Sequence, residues 1–155
     1  MNKQYYPALD ETLYRAVLPN GLRVLIAPKP GFTKKQAYFV ADFGAVHRDF
    51  TLDGEKKTVP AGVAHYLEHK LFDLPGRDVS AEFAAMGAMV NAFTSYDLTA
   101  YYFSCTENFD DCLSFCWNLC PPPILRRKVW KRSGASSIRR SAWWPMNPAV
   151  GCLRI

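Results

Sequence analysis

The order of apolar and polar positions along the chain reads as strand, then helix, then strand again. Thr12 to Leu18 and Leu22 to Ala27 flank Pro19-Asn20-Gly21, and Asn-Gly favours the positive backbone angles of a tight hairpin turn. Gln36 to Phe43 alternates, with Ala37, Phe39, Ala41 and Phe43 on one side and Tyr38, Val40 and Asp42 on the other, which predicts a third strand. Residues 47 to 57 are polar, contain Asp53-Gly54 and read as a loop. Val63, Ala64, Leu67, Leu71 and Phe72 then provide the apolar backing of a helix, with Thr58 as its cap and Pro60 in its first turn. Asp78 and Ser80 are candidate caps for a short helix through Met86, ended by Gly87. Residues 89 to 104 are rich in β-branched and aromatic types with a polar break at Ser95 to Asp97, the pattern of two more strands. Asn108 to Asp111 cap a last helix through Trp117, which Pro121-Pro122-Pro123 stops.

Composition narrows the class. With 155 residues, 49% of them hydrophobic and 21% charged, the chain can bury one core and carries no signature of disorder. No run of eighteen apolar residues occurs and the first residues, Met-Asn-Lys-Gln-Tyr-Tyr, lack the apolar stretch of a secretion signal. The expectation is therefore a cytoplasmic protein that does not engage a membrane. Five cysteines, an odd number, read as reduced thiols in such a compartment. Cys112, Cys116 and Cys120 share a helical spacing and are read as buried thiols rather than a metal cluster. His47 stands alone in a polar loop, and Met86 and Met89 read as core filling.

The chemistry is concentrated in His65-Tyr66-Leu67-Glu68-His69. On a helix, His65 and His69 project from one side a turn apart, so that two imidazoles converge on a zinc ion, and Glu68 lies on the same face. A carboxylate so placed can take a proton from a metal-bound water whose pKa the metal has lowered. The alternative is a pair of partly buried histidines with Glu68 as their ion partner.

Four segments together resemble the N-terminal domain of the insulinase/pitrilysin family, the inverted-motif zinc peptidases. They are Leu9-Asp10-Glu11-Thr12-Leu13-Tyr14, Leu18-Pro19-Asn20-Gly21-Leu22, Gly62-Val63-Ala64-His65-Tyr66-Leu67-Glu68-His69-Lys70-Leu71-Phe72 and Asn91-Ala92-Phe93-Thr94-Ser95. The resemblance covers about residues 9 to 115 and implies an α+β domain, an antiparallel sheet backed by helices. It implies a zinc endopeptidase acting on peptides or partly unfolded proteins, with Zn2+ on His65 and His69 and Glu68 as general base. Asn91 and Ala92 match the family's edge strand, to which an extended substrate adds by main-chain hydrogen bonds; Asn91 also fits a plain turn or strand-edge residue. Some family members are halves without a complete site, so a non-catalytic peptide-binding role, with a partner chain of the same family, is the alternative.

The third metal ligand is the difficulty. A catalytic zinc takes three protein ligands and a water, and the family's third is a glutamate some seventy or more residues beyond the second histidine. Here the last acidic residue is Asp111, and Cys112 to Ile155 hold eight Lys or Arg and no Asp or Glu; the net +5 is a −3 segment followed by a +8 tail. Codons permitted for Ile124 to Trp144, read two nucleotides later, spell FTAESVEKERGIIDQEIRMV, which resembles the absent family helix. One of its glutamates, overlapping Arg139 and Arg140, would be the third ligand, and another overlaps the region Lys131 to Ser133. The expectation is a frameshift between about Cys116 and Pro123. That divides the chain into a partial peptidase domain, residues 9–120, and a basic, poorly ordered tail, residues 121–155. Such a truncated chain is expected to bind zinc weakly and to be inactive. Nucleic-acid binding through the tail, a salt-sensitive interaction, is a remote alternative, since Arg126 to Arg140 contain no recognisable binding module.

Overall fold

A computed structural model describes residues 1–52, 54–119 and 151–154. Its centre is a seven-stranded sheet in the order β1-β2-β3-β11-β4-β10-β9. The strands are β1 (Asn2–Tyr6), β2 (Glu11–Val17), β3 (Arg23–Ala27), β4 (Lys35–Ala41), β9 (Ala88–Thr94), β10 (Thr99–Cys105) and β11 (Gly151–Arg154). All neighbours are antiparallel except β11 and β3, which run parallel. Two small ribbons, β5 (Asp49–Leu52) with β6 (Glu55–Thr58) and β7 (Asp73–Leu74) with β8 (Arg77–Asp78), stand apart. The helices are α1 (Val63–Phe72), α2 (Val79–Ala85) and α3 (Phe109–Leu119). This is the α+β arrangement expected from the resemblance.

The pleat explains where the helices sit. Ala37, Phe39, Tyr101 and Phe103 point to one face, where Phe103 meets Phe83 of α2 at 5.7 Å and Phe109 of α3 at 5.6 Å between ring centroids. On the same face Phe72 of α1 lies 6.0 Å from Tyr101 and Trp117 of α3 lies 5.7 Å from Phe39. All three helices therefore back one side of the sheet, and their shared core includes Ala37, Val79, Phe83, Phe103, Cys112 and Cys116. On the other side Tyr38 stacks on Tyr102 at 5.0 Å. Cys105, Cys112 and Cys116 are free and buried, and burial is the main cause that pushes the Cys112 thiol up to about 11.

Several local readings are refined. The β2–β3 connection is a three-residue loop in which Gly21 N–H bonds Leu18 O at 2.9 Å and only Gly21 has positive φ, +85°. That is a type I turn followed by a left-handed glycine, so of Asn20-Gly21 only the glycine takes the positive angle. Residues 47–57 contain the β5–β6 ribbon rather than loop alone. Helix α1 begins after Gly62 at φ +84°, with no side-chain cap, while Thr58 instead donates to Asp49 from the end of β6. By contrast Asp78 caps α2 as its sequence suggests, accepting from Ala81 N–H at 3.0 Å. The expectations for residues 120–150, including most of the basic tail, fall outside the described residues. Among those described, no helix is long and apolar enough to cross a membrane.

Candidate metal centre

Helix α1 owes its position to Ala64 and Leu67, which are buried against Phe43 with Phe50, Val63 and Tyr66 around them. That buried side, which includes Glu68, fixes the rotation of the helix and turns the two histidines outward. His65 and His69 are exposed one turn apart, while Glu68 is only 8% exposed. The helix does bring the two imidazoles together: Nε2 of His65 lies 3.0 Å from Nε2 of His69, and the ring centroids are 4.5 Å apart. Two ring nitrogens at that distance either share one proton or present two lone pairs to a common cation. A metal about 2.0–2.1 Å from each nitrogen would see the pair at about 95°, so both imidazoles fit as neighbouring ligands of one ion.

Glu68 is held from behind. Thr94, the last residue of β9, donates its hydroxyl to Glu68 Oε2 at 2.6 Å. Thr99, paired with Thr94 across the β9–β10 ladder, donates to the Phe43 carbonyl at 2.8 Å. A buried carboxylate without a donor is costly, so Thr94 both stabilises the charge and orients it. It leaves Oε1 without a protein hydrogen bond among the described residues. In the sequence Thr94 is only the fourth residue of Asn91-Ala92-Phe93-Thr94; its role rests on a bond that spans 26 residues and that only the fold closes.

Replacing Thr94 by valine, which keeps the β-branched shape, should therefore strand the buried carboxylate and lower stability by about 1–3 kcal/mol. Thr94→Ser should recover most of that loss. Urea-unfolding midpoints of the two variants check this, and equal midpoints for valine and wild type would refute it.

Strand β9 forms one edge of the large sheet, with Asn91 exposed and Ala92 half-buried on it. Asn91 Oδ1 accepts from the Ala92 N–H at 2.8 Å. The side chain thus occupies a main-chain donor of this strand. His47 lies apart from the histidine pair: its Nδ1 accepts from Gly44 N–H at 2.9 Å and its ring stacks on Phe43 at 5.7 Å. Among the described residues no three His, Cys, Asp or Glu side chains converge as a metal site. The pair therefore fits two positions around a metal, and the third donor expected of a catalytic zinc is not among them.

Comparison with known proteins gives the family. The chain is 41% identical over 126 residues to "Uncharacterized zinc protease YmfH" of Bacillus subtilis, a match covering 80% of this chain and 29% of that protein. It is 37% identical over 98 residues to the mitochondrial-processing peptidase subunit beta of Caenorhabditis elegans, covering 60% of this chain and 19% of that one. A crystal structure of an M16-like peptidase from Alicyclobacillus acidocaldarius superposes with a TM-score of 0.66 at 40% identity, over 70% of this chain and 26% of its own. The chain thus spans less than a third of the length of these relatives. Residues 55–138, which include the histidine pair, Glu68 and the edge strand, match the profile described as Insulinase (Peptidase family M16), and the chain belongs to that family.

Proposed function

We propose that this chain carries the metal-binding and proton-accepting part of a zinc endopeptidase site, for peptides or partly unfolded proteins, and does not complete turnover by itself. The observation that carries the reading is the placement of His65, His69 and a hydrogen-bonded Glu68 on one helix, next to the end of exposed edge strand β9. His65 and His69 would hold the metal, and zinc in that position supplies a lowered water pKa and a polarised carbonyl.

The remaining work falls to the chain's own groups. Glu68 would take a proton from the attacking water at Oε1 and pass it to the leaving nitrogen, with Oε2 anchored on Thr94. Strand β9 would align an extended peptide by main-chain hydrogen bonds at Asn91 and Ala92.

Inactivity follows from the donor count. Two imidazoles hold zinc less firmly than three ligands, and Cys112 to Ile155 contain no His, Asp or Glu that could serve as the third. After dialysis, elemental analysis should find zinc well below one equivalent, with His65→Ala lower still and no peptide cleavage in either protein. Tightly held stoichiometric zinc together with Glu68-dependent cleavage would contradict the reading.

We further propose that residues beyond the window Cys116 to Pro123 are translated out of frame. The family match runs to residue 138, past that window, so the nucleotide sequence across codons 112 to 145 is the test. An alternative frame interrupted by stop codons would end the idea. A second reading, a peptide-binding or partner subunit, draws on the exposed edge of β9; the Caenorhabditis elegans relative is itself named as a subunit. Metal-independent binding of an extended peptide that survives Glu68→Gln would favour it.

A further inference from the structure

Two large apolar side chains stand out from the surface where β9 ends. Tyr96, in the turn between β9 and β10, is 76% exposed, and Val46, in the segment that follows β4, is 48% exposed. A single apolar residue on a surface is ordinary. These two belong to one construction: the Val46 N–H donates to the Tyr96 carbonyl at 2.9 Å and the Ala45 N–H to the Ser95 carbonyl at 3.0 Å. The turn is also closed on itself, Ser95 N–H to Leu98 O at 2.8 Å, and Gly44 packs on it so closely that a Cβ has no room. The backbone under both side chains is therefore fixed, and covering them costs little ordering.

Their place decides what covers them. Tyr96 is two residues past Thr94, the last residue of β9 and the anchor of Glu68, so it lies at most about 7 Å along the chain from that residue. Phe43, just ahead of the Val46 segment, packs on Ala64 and Leu67 and ties the same construction to helix α1. A peptide paired with β9 carries successive side chains on alternate faces, and its residue at the Thr94 end comes level with the turn.

We propose that Val46 and Tyr96 form an apolar lip at this end of β9, which receives one large apolar or aromatic side chain of the bound peptide. The substrate class is then extended segments that carry such a residue beside the Thr94–Glu68 bond. This inference rests on reading β9 as the seat of an extended peptide. Tyrosine suits the task, since its ring offers a large, rigid contact area with only two side-chain torsions to fix.

The test measures binding rather than turnover, with the complete 155-residue chain and a short, fluorescently labelled, threonine-rich host peptide read by anisotropy. A single phenylalanine is moved through the host one position at a time, and the host is also made with N-methyl groups on either of its two alternating sets of amides. The expected result is that phenylalanine near one end of the host tightens binding about tenfold. Tyr96→Ala should lose that gain and Tyr96→Phe should keep it, both with the circular dichroism of the wild type, because the position is exposed. N-methylation of one set of amides should abolish binding, and of the other set should spare it, as pairing with a strand edge requires. A phenylalanine gain that is absent, or that persists undiminished in Tyr96→Ala, would overturn the lip while the amide pattern still upheld β9 as the seat. Host binding that is undetectable, or that tolerates both sets of N-methyl groups, would overturn the seat and the lip together.

Discussion

Truncating Phe103 to alanine should cost about 3–5 kcal/mol. Phe103 is completely buried and sits on β10, which is paired on both sides, with β4 and with β9. Its ring is the point where the sheet meets two helices, against Phe83 of α2 and Phe109 of α3. Removing it loses the transfer free energy of the ring and leaves a cavity whose walls are held by a ladder on each side, so little collapse can compensate. A domain of this size has about 5–15 kcal/mol in total, and the loss is a large share of it. Phe103→Leu, which fills most of the space, should cost less than half as much. Urea titrations followed by far-ultraviolet circular dichroism measure both, and a shift in the alanine variant worth less than about 1 kcal/mol would show that Phe103 is not the keystone of this core.

Gly44→Ala should destabilise the fold by about 3 kcal/mol, and it should do so beside the Glu68–Thr94 bond. A Cβ at Gly44 would stand 2.5 Å from Leu98 N and 2.6 Å from both Asp97 C and Tyr96 O, all backbone atoms. Nothing flexible can yield, so a strand connection has to move. The connection in question joins β9 to β10 and is tied to the Gly44 segment by Ala45 N–H to Ser95 O at 3.0 Å and Val46 N–H to Tyr96 O at 2.9 Å. Pushing the two apart would displace Thr94 and Thr99, which flank that turn and orient Glu68 and the Phe43 carbonyl. The expected observation is a lowered unfolding midpoint together with changed side-chain resonances of Glu68 and Thr94. A midpoint equal to that of the wild type would show that the close approach is relieved at no cost.

Both predictions concern long-range contacts, and that is where sequence reading reached its limit. The pentapeptide His65 to His69 was legible because helical spacing is a local property: once ten residues are helical, i and i+4 must share a side. The strands at β2, β3, β4, β9 and β10 were legible for the same reason, through alternation and turn chemistry between neighbours in the chain. Strand β1 was not, since Asn2 to Tyr6 is almost wholly exposed and shows no buried side to mark a period; its pairing with β2 defines it. The β5–β6 ribbon was missed because its polar sequence resembles loop and its order comes from pairing.

Taken alone, the sequence determined that His65 and His69 share one side of a helix, through a repeat of one helical turn, and that residues 112–155 carry no His, Asp or Glu side chain. The tertiary structure decided the rest: that the His65 and His69 nitrogens are exposed and 3.0 Å apart, that Glu68 is buried yet bonded by Thr94, and that β9 lies at the sheet edge with Asn91 covering the Ala92 donor. The division has a physical cause. Spacing along a helix is set by backbone geometry within a few residues, whereas burial, an interstrand hydroxyl and the choice of edge strand depend on packing between segments that no local pattern connects.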